Sequence, residues 1–276
     1  YTGNLDIELA AVEPGADRTD RDALRRQLDT ETAAVILQNP NFFGVVDDFS
    51  DLVDATHAVG AVAIASVYPI SLGILKPPGA MGFDIATGEG QSLGLPLSFG
   101  GPYLGFMAAR KEHVRKMPGR IIGATRDREG RRGFVMTLQA REQHIRREKA
   151  TSNICTNQGL IALAAAVYMA ALGKCGMRQV AELCYHRAHY AQRQITALDG
   201  FSALDERPFF KEFAVRCPRP VSEINELLLD DWDIVGGYDL GRDYAHLENC
   251  MLLCVTEMNP RQEIEHLVEA LKEVNA

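Results

Sequence analysis

The sequence contains no run of apolar residues that approaches the roughly 18 needed to span a membrane, so we expect no membrane contact. It also has no basic excess. The balance of 29 basic and 37 acidic residues gives a net charge of −8, whereas a protein that binds phosphate backbones leans basic, so nucleic acid is not an expected partner. Apolar residues are not scarce: they make up 46 % of the 276 residues, which excludes a disordered chain.

Cysteine pairs of the C-x-x-C type are absent. The chain is also too long to need disulfide staples, so its cysteines are interpreted as reduced core thiols in a cytoplasmic protein. These cysteines are Cys155, Cys175, Cys184, Cys217, Cys250 and Cys254. The chain begins at Tyr1 without a basic-then-apolar leader, and we interpret it as a fragment of a longer protein.

Short apolar runs alternate with amphipathic segments over the first 110 residues. A helix is predicted over about 20–28 with Thr19 as its cap, and another over Asp48–Val59, stopped by Gly60. Strands are predicted at Leu5–Val12, Ala33–Leu37, Ala61–Val67, Asp84–Ala86 and Leu104–Ala109. Strands that alternate with helices indicate a mainly parallel sheet wrapped by helices.

The pattern changes after about residue 150. Gln158–Leu172 is apolar nearly all round and predicts a buried helix, which Gly173 and Gly176 break before a second helical repeat. Further on, strands are predicted at Glu212–Val215 and Met251–Val255, and a last helix after Asn259-Pro260. We therefore predict an α/β domain over 1–155, connecting helices over 156–200 and a small α+β domain over 201–276.

Two glycine-rich segments are candidate binding loops. Gly88–Gly94 approximates a dinucleotide fingerprint, but its last glycine is one position late and Pro96 stands where the phosphate-binding helix should run. A strand end at which backbones pack closely is the favoured interpretation. Ser98–Tyr103 is typical of a tight turn, and such a turn could also pass close to a cofactor.

No catalytic group stands out from the residues alone. Arg141–Lys149 mixes charges, with Glu142 and Arg146 at i, i+4 spacing, which is typical of a solvated or interface surface. His144 has no second ligand at metal-binding spacing, so no metal site is predicted. No serine lies in a nucleophile elbow, and no lysine has the context of a Schiff-base lysine.

Several motifs resemble signatures of the glycine cleavage system P-protein family. The short ones are Gln38–Gly44, Leu75–Gly79, Gly88–Gly94 and Ser98–Tyr103, and the longest runs from Arg141 to Gln158 (REQHIRREKATSNICTNQ). The resemblance covers essentially the whole chain and is strongest to the α-like half, subunit 1, of the two-subunit bacterial form.

This resemblance implies an aspartate-aminotransferase-like fold, the type I fold of pyridoxal phosphate (PLP) enzymes. It implies a mainly parallel sheet, a smaller C-terminal α+β domain and a missing N-terminal part. In the catalytic half of the family, an Asp pairs with the ring nitrogen of PLP and a His-Lys pair supplies the Schiff-base lysine. Aligned on Asp84, the lysine position is Ser92, its neighbour is Gln91 and the Asp position is Ala65; a shift of one puts Ser66 there. The resemblance therefore implies no catalytic residue and no covalently bound cofactor in this chain.

The implied function is that of the subunit without the lysine in glycine dehydrogenase (decarboxylating). Such a subunit supports glycine decarboxylation and aminomethyl transfer to the lipoyl H-protein by a PLP-bearing subunit 2, in a cytoplasmic heterotetramer with two copies of each. The residues expected to face carboxylates or the cofactor phosphate at the interface are Arg141, His144, Arg146, Arg147 and Lys149. The alternatives are an independent PLP enzyme with an unrecognised site, and a pure assembly module.

Overall fold

The computed structural model describes residues 3–12, 14–15, 18–150 and 158–274. The strands are β1 Pro14–Gly15, β2 Arg18–Thr19, β3 Ala34–Asn39, β4 Val62–Val67, β5 Ile85–Glu89, β6 Gly105–Ala109, β7 Ile121–Arg126, β8 Arg132–Thr137, β9 Ser202–Ala203, β10 Glu212–Arg216, β11 Tyr238–Asp239 and β12 Cys250–Cys254. The α-helices are α1 Arg21–Gln27, α2 Ser50–Ala58, α3 Pro78–Met81, α4 Gln143–Arg146, α5 Gly159–Thr196, α6 Val221–Trp232 and α7 Arg261–Val274.

A four-stranded sheet in the order β3-β4-β5-β6 forms the first half of the fold. β3, β4 and β5 are parallel and β6 is antiparallel, which confirms the mainly parallel sheet. The α2 helix covers one face with the fully buried Leu52 and Val53. It ends before Gly60, whose φ of 83° lies in the left-handed region, as predicted for a helix stop. β3 buries only alternate residues, and Ile36 is 66 % exposed, so the expectation of a fully buried strand is wrong there.

A second sheet, in the order β11-β12-β10-β9, is antiparallel and belongs to the C-terminal part. Its core joins Phe213 and Val215 of β10 to Ile195 of α5 and Leu271 of α7, all nearly inaccessible to solvent. The predicted strands at Glu212–Val215 and Met251–Val255 and the last helix are confirmed, whereas α6 is not among the sequence predictions. The proposed domain limits stay a prediction.

The long helix α5 is continuous except at Gly173, whose φ of 60° and ψ of −171° are not helical. Gly173 therefore breaks the helix as predicted, but Gly176 does not. Burial nearly all round is wrong for the first half, because Leu160, Leu163 and Val167 are 77 %, 60 % and 59 % exposed. By length and composition alone this helix could cross a membrane, contrary to the expectation from the sequence, but core helices of soluble proteins pass the same test.

Two further predictions, both for the N-terminal segment, are wrong. Leu5–Val12 is not a strand: Leu5, Ile7 and Leu9 are exposed, and the segment has no ladder partner among the described residues. Apolar alternation alone does not make a strand, because the backbone also needs a neighbour to bond to. The cap of α1 is Asp20 rather than Thr19, and its carboxylate accepts hydrogen bonds from the backbone N–H groups of Asp22 and Ala23.

Candidate functional site

The candidate site lies at the carboxyl ends of the parallel strands, where α/β sheets commonly bind ligands. Ala65 is a buried residue of β4, with 1 % exposure, and the chain leaves that strand into Tyr68. Gln91 and Ser92 lie in the turn that follows β5. The structure thus places one of the three positions aligned with the PLP-binding residues on β4 and the other two in the turn after its neighbour β5.

The glycine-rich turn after β5 packs tightly against its surroundings. A Cβ at Gly88 would lie 2.3 Å from the carbonyl oxygen of Val67, and one at Gly94 would lie 2.7 Å from the Tyr168 ring. The Glu89 carboxylate accepts hydrogen bonds from the backbone N–H groups of Gln91, at 2.8 Å, and Leu104, at 2.9 Å. Close backbone packing, the interpretation favoured from sequence, is confirmed for this segment.

A buried lysine lies next to these positions. The Nζ atom of Lys211 is 3.9 Å from the centre of the Tyr68 ring and 3.2 Å from Oε1 of Glu212. Burial alone would lower the pKa of Lys211, but Glu212, Cys254 and Tyr68 together outweigh burial, and the pKa is raised. The Ser92 hydroxyl is buried beside the Tyr68 phenol without a regular hydrogen bond among the described residues. Sequence reasoning missed Lys211, because only the fold brings it to Tyr68.

Two thiols complete this cluster. The Cys184 thiol donates to Oε2 of Glu257 at 3.1 Å, and burial together with that carboxylate raises the pKa of Cys184 to about 12. Shielding of its sulfur from water also raises the pKa of Cys254 to about 11, although the residue as a whole is exposed, and its thiol lies 3.6 Å from Oε1 of Glu212. These thiols are protonated at neutral pH, and in this state they are poor nucleophiles. All described cysteines are free, as expected, although Cys175 and Cys254 are exposed rather than buried; Cys155 lies outside the described residues.

The described residues at these positions do not fit PLP. Ser92 cannot form an imine, and Ala65 has no charge to hold a proton on the ring nitrogen. Leu93, the neighbour of Ser92 in the chain, is buried in an apolar cluster that includes Ile70 and Phe210, each at most 7 % exposed. The amine of Lys211 is held as a charged group against Tyr68 and Glu212, so it does not replace the missing lysine.

The charged segment around residue 141 is only partly free to meet a partner. The Arg141 guanidinium donates to the carbonyl oxygens of Met117 and Gly119 and pairs with Glu142 at 3.3 Å. Arg146, which follows Glu142 at i, i+4 spacing, donates to the carbonyl oxygen of Ala140, and α4 is only four residues long. Arg141 is therefore an internal anchor of this segment.

Other members of the segment are accessible. His144 and Arg147 line an open depression together with Gln143 and Glu148, and Lys149 is exposed. Contact of His144, Arg146, Arg147 and Lys149 with a partner stays a prediction. Residues 151–157 of the longest motif lie outside the described residues. The Ser98–Tyr103 segment is a bend with Phe99 95 % exposed, as expected for a surface turn.

A cavity of about 470 Å³ opens near the end of β3, where Arg207 and Pro208 form part of its lining. Its charged lining is paired internally: Arg21 with Asp47, and Lys76 with Asp48 at 3.0 Å. Asn39 at its base donates to the carbonyl oxygen of Asp47 and accepts from the Asp47 N–H. The lining therefore presents a neutralised network, and the sequence carried no signal for this cavity.

At the amino ends of the parallel strands, opposite the candidate site, Asp84 lies just before β5 in a cluster of titratable groups. Oxygen or nitrogen atoms of Asp84, Glu112 and His113 lie within 4.8 Å of one another, which is a spacing that could hold a metal ion. The Asp84 carboxylate, however, already binds His57 at 2.8 Å, and Arg110 lies 3.5 Å away. The Arg110 charge opposes a cation there, and the absence of a metal site stays a prediction.

Comparison with known proteins places this geometry in one family. The family model of the glycine cleavage system P-protein matches residues 2–271. The chain is 54 % identical over its full length to the probable glycine dehydrogenase (decarboxylating) subunit 1 of Thermomicrobium roseum, and 49 % identical to that of Moorella thermoacetica. It spans 62 % of the length of each of these relatives.

Solved structures support the same family assignment. The chain matches a crystal structure of glycine decarboxylase (P-protein) of the glycine cleavage system, in inhibitor-bound form, with a TM-score of 0.89 and 43 % identity, covering 98 % of this chain and 60 % of that one. A sphingosine-1-phosphate lyase of Burkholderia pseudomallei matches with a TM-score of 0.65 at 17 % identity, which shows the shared fold of PLP-dependent type I enzymes alone. The expected fold class is confirmed, and the chain belongs to the glycine cleavage system P-protein family.

Proposed function

We propose that the chain acts in glycine dehydrogenase (decarboxylating) as the subunit that does not carry the Schiff-base lysine. The observation that carries this proposal is the pair Ser92 and Ala65, which lack the two groups that PLP chemistry needs, in a chain that otherwise keeps the family's fold. The relatives in Thermomicrobium roseum and Moorella thermoacetica are named as subunit 1, which supports a partner subunit.

In the proposed assembly, PLP is bound by the partner, subunit 2, and supplies the electron sink for glycine decarboxylation. The aminomethyl group then passes to the lipoyl H-protein. We propose two copies of each subunit in a cytoplasmic complex. The exposed apolar face of α5, including Leu160 and Leu163, supports contact with another chain, because such a surface is costly to leave in water.

The residues of this chain have a structural part in that reaction. Tyr68, Lys211 and Glu212 join the C-terminal sheet to the end of β4, so the two sheets are held together at the edge that faces the proposed ligand site. An independent PLP enzyme would need a reactive amine. Lys211 is the buried amine nearest in the described cluster, and its raised pKa keeps it protonated and unable to attack a carbonyl.

The test is exchange of the glycine carboxyl group with labelled bicarbonate, measured with the full chain, subunit 2 and H-protein together and with each protein omitted. We expect exchange only when both subunits are present. If subunit 2 catalysed normal exchange without this chain, the chain would be a pure assembly module. Exchange by this chain without subunit 2, with borohydride fixing PLP onto one of its lysines, would make it an independent enzyme.

A further inference from the structure

The hairpin formed by β7 and β8 stands apart from both larger sheets. The two strands pair with each other and with no other strand among the described residues. Their side chains are half-buried or exposed, and none is buried. An isolated two-stranded hairpin is marginally stable in water, so its apolar side chains need a surface to pack against.

One face of this hairpin carries an apolar strip. In the antiparallel register Ile122 is opposite Met136 and Ala124 is opposite Phe134, and side chains at these positions point to the same face. Ile122, Phe134 and Met136 are 56 %, 63 % and 39 % exposed. The next pair in register is Arg126 and Arg132, and the Arg132 guanidinium lies 5.0 Å from the centre of the Phe134 ring. The strip therefore ends in two arginines.

The hairpin belongs to a strongly basic part of an acidic chain. We call residues 110–149 the basic arm; it contains 13 of the 29 basic residues but only 5 of the 37 acidic ones. The arm thus carries +8, although the whole chain carries −8. Most of its cations are exposed, including Arg120, Arg128 and Arg132. Aromatic and arginine side chains around an apolar strip are typical of protein–protein interface cores.

The positive charge of the basic arm limits which kinds of molecule can bind to it. A symmetric contact with a second copy would set the same basic patch against itself, and docking the arm on another face of a copy would give a ring or an open-ended chain rather than a two-fold dimer, the commonest oligomer. Phosphate backbones and anionic lipid surfaces would attract the arm but meet the strongly acidic remainder of the chain. A different polypeptide with an apolar cleft rimmed by carboxylates meets neither difficulty.

We propose that the basic arm docks through the Ile122–Phe134–Met136 strip and its flanking arginines onto an acidic, apolar-lined face of the PLP-bearing subunit. This inference rests on the proposed function, because that function supplies the partner. Complementary charge accelerates encounter, and burial of the strip slows dissociation.

The test compares charge-matched variants of the full chain in binding to purified subunit 2. The arm variant combines Arg120→Glu, Arg128→Glu and Arg132→Glu. The control combines Arg26→Glu, Arg242→Glu and Lys272→Glu, which are exposed positions outside the arm. We expect the arm variant to associate at least ~10-fold more slowly, with a weaker dependence on salt, and the control to stay within about twofold of the wild type.

A second variant, Phe134→Ser, tests the strip without changing charge. Because Phe134 is exposed, the variant should keep its circular dichroism and melting temperature, while its complex with subunit 2 dissociates at least ~10-fold faster. One outcome would overturn this inference and leave the proposed function standing: the wild type assembles and supports glycine exchange, but the arm and strip variants bind subunit 2 as well as the control does. A wild-type chain that neither binds subunit 2 nor supports exchange would overturn both. The inference would also be overturned if the wild type bound vesicles rich in anionic lipid and the arm variant lost only that binding while still binding subunit 2. The arm would then be assigned to a membrane surface.

Discussion

The Lys211 ammonium lies 3.9 Å above the Tyr68 ring, and this contact ties the C-terminal sheet to the end of a parallel strand of the first sheet. Glu212 balances the charge of Lys211 at 3.2 Å, and both side chains are largely shielded from water. A buried ammonium that loses its partners is costly, so Tyr68 and Glu212 are coupled to Lys211 energetically as well as in space.

Replacing Lys211 should therefore destabilise the fold. We expect Lys211→Met to lower the free energy of unfolding by about 2 kcal/mol, because it leaves the Glu212 carboxylate without its ammonium. The double variant Lys211→Met/Glu212→Gln should recover part of that loss, since no charge is then left unpaired. Urea denaturation of the two variants and the wild type measures the difference, and equal losses in both variants would contradict the coupling.

The pH dependence of stability should include a contribution from Asp84. Burial would raise the pKa of Asp84, but the Ala63 N–H and the His57 and Arg110 side chains outweigh burial and hold the pKa below its usual 3.8. The stabilisation is therefore present above pH 3.8 and is lost as the pH falls through the lower pKa of the folded state.

Asp84→Asn should remove this contribution. We expect the wild type to exceed the variant by about 2 kcal/mol at neutral pH, and the difference to shrink as the carboxylate becomes protonated in acid. Denaturant unfolding at a series of pH values measures it. A difference that stays constant into acid would show that the effect of the variant comes from packing rather than from charge.

Thiol modification should follow exposure and pKa. Cys175 is exposed, whereas Cys184 is buried and its pKa is raised to about 12. Cys254 is exposed, but its pKa is raised to about 11, so few of its thiols are ionised at pH 8. Timed alkylation followed by peptide mass spectrometry should label Cys175 first and Cys184 last. Labelling of Cys184 as fast as Cys175 in the native protein would contradict its burial against Glu257.

Local patterns predicted the elements whose apolar residues meet one core. β4, with Ala63, Ala65 and Val67 buried in alternation, and α2 were identified because their periods match those of a strand and a helix. The first half of α5 has an equally apolar sequence, but its face is exposed, because composition records hydrophobicity and not whether a neighbour is present. The same limit explains the wrong strand at Leu5–Val12.

The hairpin and Lys211 were missed for different reasons. The β7–β8 turn has residues typical of a tight turn: Asp127 accepts a hydrogen bond from the Arg131 N–H, and Gly130 takes a φ of 78°. The strands on either side are harder to identify, because glycines and arginines interrupt their apolar pattern. Lys211 had no local signal, because its partner Tyr68 is far away in sequence and is reached only through the packing of the two sheets. Side-chain contacts between distant segments cannot be derived from the periodicity of either segment.

The break in α5 depends on a conformation that favours glycine. Gly173 has a φ of 60° and a ψ of −171°, a region that other residues adopt only under strain. We expect Gly173→Ala to lower the free energy of unfolding by about 1–3 kcal/mol or to straighten the helix. Gly105→Ala is the control, because a Cβ there meets no atom within 4 Å and should change stability by less than ~0.5 kcal/mol. Chemical denaturation measures both, and equal stability of the two variants would show that the break carries no strain.

Restoring the lysine at position 92 should not restore an active site. Ser92→Lys would place an amine at the right position in the alignment, but Ala65 still offers no carboxylate to hold a proton on the ring nitrogen, so PLP would remain a weak electron sink. The Ser92 hydroxyl is buried, and its neighbour Leu93 packs with Ile70 and Phe210, so a longer side chain at position 92 meets packed atoms. We expect no glycine decarboxylation by the variant alone and no PLP fixed at position 92 after borohydride reduction and peptide mass spectrometry. Subunit 2, treated in parallel, should retain the reduced cofactor and serves as the positive control. Turnover by the single variant without subunit 2 would mean that neither Ala65 nor the packed cluster is the barrier.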